Sequence, residues 1–103
     1  MERKAEGAYG SNAALLRLAA EGDESAVSRL VEKNSALVYK IAHSFGGRGC
    51  EFDDLVQIGS IGLLKAIRSF DESRGFAFST YAVPLIVGEI RRFLRDDGTL
   101  KVS

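Results

Sequence analysis

Three aromatic residues, Phe76, Phe78 and Tyr81, fall within six positions of one another, directly after Arg74. Aromatic faces beside a guanidinium suit the stacking of unpaired nucleic-acid bases, because every base has a π-face and Arg adds cation–π attraction. The competing use of the same rings, with Phe70 just upstream, is to fill the core of a small domain. Further along, Arg91, Arg92 and Arg95 lie at spacings of one, three and four, which spreads them over a broad arc of a helix. Such an arc either contacts phosphates or is a solvated basic face, with one of the three paired to Glu89 or Asp96.

No catalytic constellation accompanies these residues. His43 is the only histidine and has no metal-ligand partner at helical spacing and no nucleophile motif. Asp53 and Asp54 are adjacent, so their carboxylates diverge on a helix, and capping accounts for them better than paired acid–base work. Cys50 is the only cysteine, which excludes an intrachain disulfide and a Cys-rich metal site. The sequence therefore points to neither an enzyme, a metal site nor a cofactor.

The elements that must position the aromatic and basic residues are helices. Apolar residues recur at the helical period and strand alternation is missing, so the expected fold is all-α, a compact bundle of about four helices. Asn12 caps a first helix with Ala14, Leu15, Leu18 and Ala19 on one stripe, ended by Gly22. Asp23 caps a second, expected to run unbroken to about Ser44 with Val27, Leu30, Val31, Leu37, Val38 and Ile41 inward. Three glycines within Gly46 to Gly49 stop it, and they lack the strand and Lys-Ser/Thr ending of a phosphate-binding loop. Asp53 or Asp54 caps a third helix reaching Phe70, in which Gly59 and Gly62, each costing up to about 1 kcal/mol against alanine, imply a close approach of a neighbouring helix. After a polar loop over Asp71 to Gly75, Ser79 or Thr80 caps a fourth helix through Arg95, with Pro84 inside its first turns. Ile61 and Leu64 fall off the third helix's apolar stripe, beside Gln57 and Ser60, and make a surface suited to a partner, against the plainer reading of a solvated face.

Composition bounds the rest. With 103 residues, 46% hydrophobic content and one proline, the chain has the size of one domain. Net charge is zero, which argues against gripping duplex DNA by phosphate neutralisation alone. The halves differ slightly: residues 1–59 sum to minus two and residues 60–103 to plus two, so the positive bias lies with the aromatics. Most of the DNA affinity must then come from an additional partner. No stretch approaches the roughly twenty apolar residues that span a bilayer, and MERKAEGAYG has no signal-peptide core, so no membrane role and a cytoplasmic location are expected.

The run DLVQIGSIGLLKAIRSFD followed by RGFAFSTYA resembles conserved region 2 of the sigma-70 family of bacterial transcription initiation factors. The continuation FSTYAVPLIVGEIRRFLRDDGTLKVS is most similar to the sporulation-type members. The resemblance implies that the third helix binds the clamp helices of the core RNA polymerase β′ subunit through Asp54, Gln57, Ile58, Ser60 and Leu64, with Ile58 where many relatives carry glutamate. It further implies that Phe70, Arg74, Phe76 and Tyr81, with Ser79 and Thr80 nearby, receive the adenine at the second position of the minus-ten promoter element on the single-stranded non-template strand. Arg91, Arg92 and Arg95 would contact the minus-ten region, with Arg91 at an upstream-reading position and Gly88 leaving the other such position empty. Pro84 and Leu85 replace the two tryptophans that housekeeping members use as a wedge. An anti-sigma protein is an implied partner. Residues 1–10 are expected to be a disordered tail and 11–103 a region 2 domain, with the regions that normally follow absent. The alternative class is a small helical interaction module that binds a regulator without touching DNA.

Overall fold

The structure, a computed structural model, describes residues 12–46 and 50–98. Every regular element among them is helical: α1 over 12–20, α2 Glu24–Lys33, α3 Ser35–Ser44, α4 Phe52–Ser69 and α5 Phe78–Phe93, with a 3₁₀ turn at Glu72–Arg74 and a π turn at Leu94–Gly98. The expected N-terminal tail lies outside the described residues, as do residues 47–49 of the glycine turn.

The second helix expected from the sequence is two helices. Asn34, at φ −107° and ψ 10°, is both the end of α2 and the start of α3. Its side-chain amide donates to the Leu30 carbonyl at 2.8 Å, and the Ser35 hydroxyl donates to the Glu32 carbonyl at 3.0 Å. Polar side chains that compete for backbone groups in this way break a continuous helix into a jointed pair. Asp23 caps α2 as expected, accepting from the Ser25 and Ala26 amides. The other caps differ. Helix α4 starts at Phe52 after Glu51, which places Asp53 and Asp54 in its first turn, where their charge favours the helix dipole. Helix α5 starts at Phe78 after Ala77, so Ser79 and Thr80 lie inside it, and its α-helical part closes at Phe93 rather than Arg95.

Helices α4 and α5 form the centre of the molecule and run antiparallel, as successive contacts of Gly59, Gly62, Lys65 and Ser69 with residues from Ile90 down to Tyr81 require. At Gly62 a Cβ would stand 2.7 Å from both the Ile86 Cα and the Leu85 carbonyl oxygen. The glycine lets the two backbones touch, as its cost in helix propensity implied. Around this seam the core gathers Leu30 from α2, Val38 and Ala42 from α3, Leu55, Leu63 and Ala66 from α4, and Ala82, Ile86 and Ile90 from α5, all fully or almost fully buried. Leu16 of α1 joins the same cluster. Pro84 sits inside α5 without ending it; lacking an N–H, it leaves the Thr80 carbonyl without its helical donor on an exposed face.

Candidate nucleic-acid interface

The end of α4 and the start of α5 meet at one corner of the molecule, and the loop between them carries the aromatic and basic side chains. Its shape is set locally. Asp71 accepts the Ser73 amide at 3.0 Å and the Ser73 hydroxyl at 2.6 Å, which caps the 3₁₀ turn and presents Arg74 at its end. Gly75 then reverses the chain at φ +88°, a conformation that favours glycine.

Four rings collect behind this loop. Phe70, half-buried, packs edge-on to Phe78 with centroids 5.4 Å apart and tilts against Tyr81 at 5.5 Å. Phe78 is buried and belongs to the core. Phe76 is 45% exposed and faces Tyr81, with the rings 25° from parallel and 6.4 Å between centroids. Two stacking intervals of about 3.4 Å each come to about 6.8 Å. The Phe76–Tyr81 gap is therefore close to what one planar base needs to lie between the rings. Phe76 and Tyr81 open onto a cavity of about 370 Å³ completed by Arg74, Ser69 and Asp71.

The Tyr81 hydroxyl is fixed from α4. Ser69 Oγ donates its one proton to the Lys65 carbonyl at 2.8 Å and lies 2.7 Å from Tyr81 Oη. Tyr81 must therefore be the donor in that contact, and its remaining lone pairs stay available to a ligand's donor. Ser69 and Asp71 were not singled out in the sequence. The Asp-x-Ser spacing does carry a turn signal for Asp71, whereas nothing local marks Ser69, which matters only because α5 packs beside it.

Of the residues named from the sequence, Arg74, Phe76 and Tyr81 line this cavity, and Phe70 supports it from below. Ser79 lies on a second, smaller cavity on the α1 side, and Thr80 lines neither cavity that borders Phe76. Arg91, Arg92 and Arg95 are all exposed, and Arg92 stands about 16 Å along α5 from Tyr81 at 1.5 Å per residue. Arg92 approaches Glu89 at 3.8 Å and Arg95 approaches Asp96 at 3.5 Å. Arg91 makes no ion pair among the described residues. Glu89 is the most buried member of these pairs, its side chain 13% exposed, and also takes Lys65 at 2.6 Å, which ties the basic end of α5 to α4.

The face of α4 opposite the core holds the other named set. Asp54, Gln57 and Ile61 are exposed, and Ile58, Ser60 and Leu64 are half-buried along the same surface. Ile58 and Leu64 also pack on the core from the flanks, and Ile61, 45% exposed, is the apolar centre of the stripe. Arg68 closes the stripe with a two-pronged pair to Glu24 of α2, at 3.1 and 3.2 Å. The Arg68 hydrogen bonds hold the Glu24 carboxyl below the usual range.

The Asp71 carboxyl is likewise held below the ordinary carboxylate range, first by the Ser73 hydroxyl and then by the Ser73 amide. A depressed carboxyl supports its turn fully above the unfolded pKa and loses that support as pH falls through the lower folded value. We expect the Ser73 amide resonance to move on acidification with a midpoint below that of an unstructured aspartate, and this titration to vanish in Asp71→Asn. A midpoint at the unstructured value would show that the turn does not hold the carboxylate.

Residues 30–99 match the family Sigma-70 region 2. The chain is 55% identical over 89 residues to the RNA polymerase sigma-F factor of Bacillus licheniformis, covering 86% of this chain and 35% of that protein. It is 54% identical over 89 residues to the sigma-F factor of Bacillus subtilis (strain 168), with 86% and 35% covered. Identity to the sigma-G factor of the same strain is 53% over 83 residues, with 81% and 32% covered. The chain thus spans about a third of the length of the curated relatives it matches.

Proposed function

The chain belongs to the sigma-70 family, as its region 2, and on that premise we propose that it binds core RNA polymerase and opens promoter DNA at the minus-ten element by capturing one unpaired base. The observation that carries this reading is the Phe76–Tyr81 cleft, two near-parallel rings 6.4 Å apart beside an exposed Arg74. A base that leaves the duplex costs a few kcal/mol of stacking and pairing, and stacking on aromatic rings returns about 1–3 kcal/mol per base. The captured base is the adenine at the second minus-ten position of the non-template strand. Its amino group can donate to the free lone pairs of the Tyr81 hydroxyl or to Asp71. Capture of a transiently opened base shifts the equilibrium toward melted DNA without ATP or a catalytic residue.

Phe70 holds Tyr81 in place in this scheme, Ser79 and Thr80 border the strand at the start of α5, and Arg91, Arg92 and Arg95 meet the adjoining duplex. Arg91, having no ion-pair partner among the described residues, is the side chain best placed to give its charge to a phosphate or a base edge. The β′ clamp helices of the polymerase are assigned to the α4 stripe, with Asp54, Gln57, Ile58, Ser60 and Leu64 around Ile61. A cytoplasmic site of action and control by an anti-sigma protein follow from the likeness to sporulation-type factors.

The direct test is binding of fluorescent single-stranded minus-ten DNA by the chain with core polymerase present. Adenine-dependent binding supports base capture, and equal affinity for strands with and without the adenine would leave an interaction module that does not read DNA. The polymerase surface is tested separately. Ile61→Glu and Asp54→Lys should each weaken association with core polymerase about tenfold or more, as central contacts of an interface do. Their melting temperatures should stay near that of the parent, since surface changes cost about 0.5 kcal/mol or less. Unchanged association in both variants would move the polymerase contact off this face.

A further inference from the structure

Phe76 borders two cavities. On one side it forms the cleft with Tyr81, and it also lines a separate hollow of about 220 Å³ bounded by Asn12 and Leu16 of α1 and by Phe70, Phe78 and Ser79. At about 30 Å³ per water, the hollow has room for about seven waters, enough for a planar heterocycle. Its lining is aromatic and apolar with a few convergent polar groups, the composition of a small-ligand site rather than of a packing defect. One of those groups is unusual. The Asn12 Oδ1 atom is buried and has no hydrogen-bond partner. Buried acceptors are costly to leave unpaired and rarely are.

Asn is also the side chain that reads a base edge with two hydrogen bonds, accepting from the amino group and donating to the adjacent ring nitrogen of adenine. Glu72, on the same wall, has a carboxylate that only accepts. The hollow therefore asks for donors. Helix α1 lies outside the matched residues 30–99, so nothing assigned to that segment accounts for the site.

Resting on the base-capture reading, we propose that this hollow is a second subsite for the same single strand, taking an unpaired base that carries an exocyclic amine from the nucleotide next to the captured adenine. Phe76 then stands between two successive bases, each side of its ring contributing to one of them, as in stacking platforms for single strands. Arg17 of α1, paired with Glu72 at 3.3 Å, ties the α1 wall to the loop that carries Arg74 and Phe76.

The test is an abasic scan. The full chain with core polymerase is titrated with fluorescent single-stranded minus-ten DNA in which each neighbour of the captured adenine is removed in turn. Loss of one neighbour should lower affinity about tenfold. Purine without the amino group, or thymine, at that position should recover less of the loss than adenine. Asn12→Ala should reproduce the loss and make the abasic neighbour silent, whereas Tyr81→Ala should lower affinity and leave the neighbour's effect in place. If both neighbours are dispensable within twofold while the captured adenine still matters, the second subsite is overturned and the first stands. If the captured adenine itself is dispensable, both readings fall. The scan on the unaltered chain decides the matter even if Asn12→Ala does not fold.

Discussion

Tyr81→Ala should weaken binding of single-stranded minus-ten DNA by about 10- to 100-fold, the equivalent of the ~1–3 kcal/mol that stacking on one aromatic side chain contributes. The size follows from geometry: Tyr81 is one of the two walls of the 6.4 Å cleft, and without it a base has a ring on one face only. The same loss should appear when the unaltered chain meets DNA lacking the key adenine, and the two losses should not add, because both remove one contact. Tyr81→Phe separates the ring from its hydroxyl. It keeps the stacking surface and gives up the contact with Ser69 Oγ at 2.7 Å, so it should cost about tenfold or less, near the ~1 kcal/mol net value of one hydrogen bond. Fluorescence titration with core polymerase present measures all three. Tyr81→Ala binding as tightly as the parent, with an unchanged melt, would remove the cleft from the mechanism.

Gly62→Ala should be the most destabilising single methyl in α4. The new Cβ would meet the Ile86 Cα and the Leu85 carbonyl oxygen at 2.7 Å, and both are backbone atoms that cannot rotate aside. Helices α4 and α5 would have to separate, at about 2–3 kcal/mol of overpacking even after the gain in helix propensity. Gly88→Ala is the matched control. Gly88 is exposed on α5 with nothing within 4 Å of its Cβ position, so alanine there should stabilise by up to about 1 kcal/mol. At about 4–8 °C per kcal/mol for a domain of this size, the two variants should melt at least about 10 °C apart. Function should follow the seam, because Ser69 and Tyr81 lie across it: Gly62→Ala should also lose adenine-dependent binding at temperatures where it remains folded. A Gly62→Ala chain melting at or above the parent would show that the close approach is not sterically enforced.

Much of this was legible beforehand, for physical reasons that can be named. Helical periodicity fixed the inward faces of α2 to α5, and the cost of Gly59 and Gly62 in helix propensity marked the helix contact before any contact was visible. The caps were harder to read. Ser79 and Thr80 are good capping types, yet α5 begins at Phe78 because burying that ring in the core outweighs a side-chain cap worth about 1 kcal/mol. The joint at Asn34 was missed because the apolar spacing continues across it, while the side-chain bonds that interrupt the helix leave no trace in periodicity.

By itself the sequence determined the fold class, the family and the kinds of residue available at the site, since these depend on the order of residue types along the chain. Which rings are core and which face a ligand was decided only by tertiary structure. Phe70, Phe76, Phe78 and Tyr81 look equivalent in the sequence, and only packing of α5 on α4 buries Phe78, leaves Phe76 exposed and sets Tyr81 parallel to it. The Ser69 anchor and the Asn12 hollow are likewise products of tertiary contact, because each joins residues from separate helices whose approach no local pattern encodes.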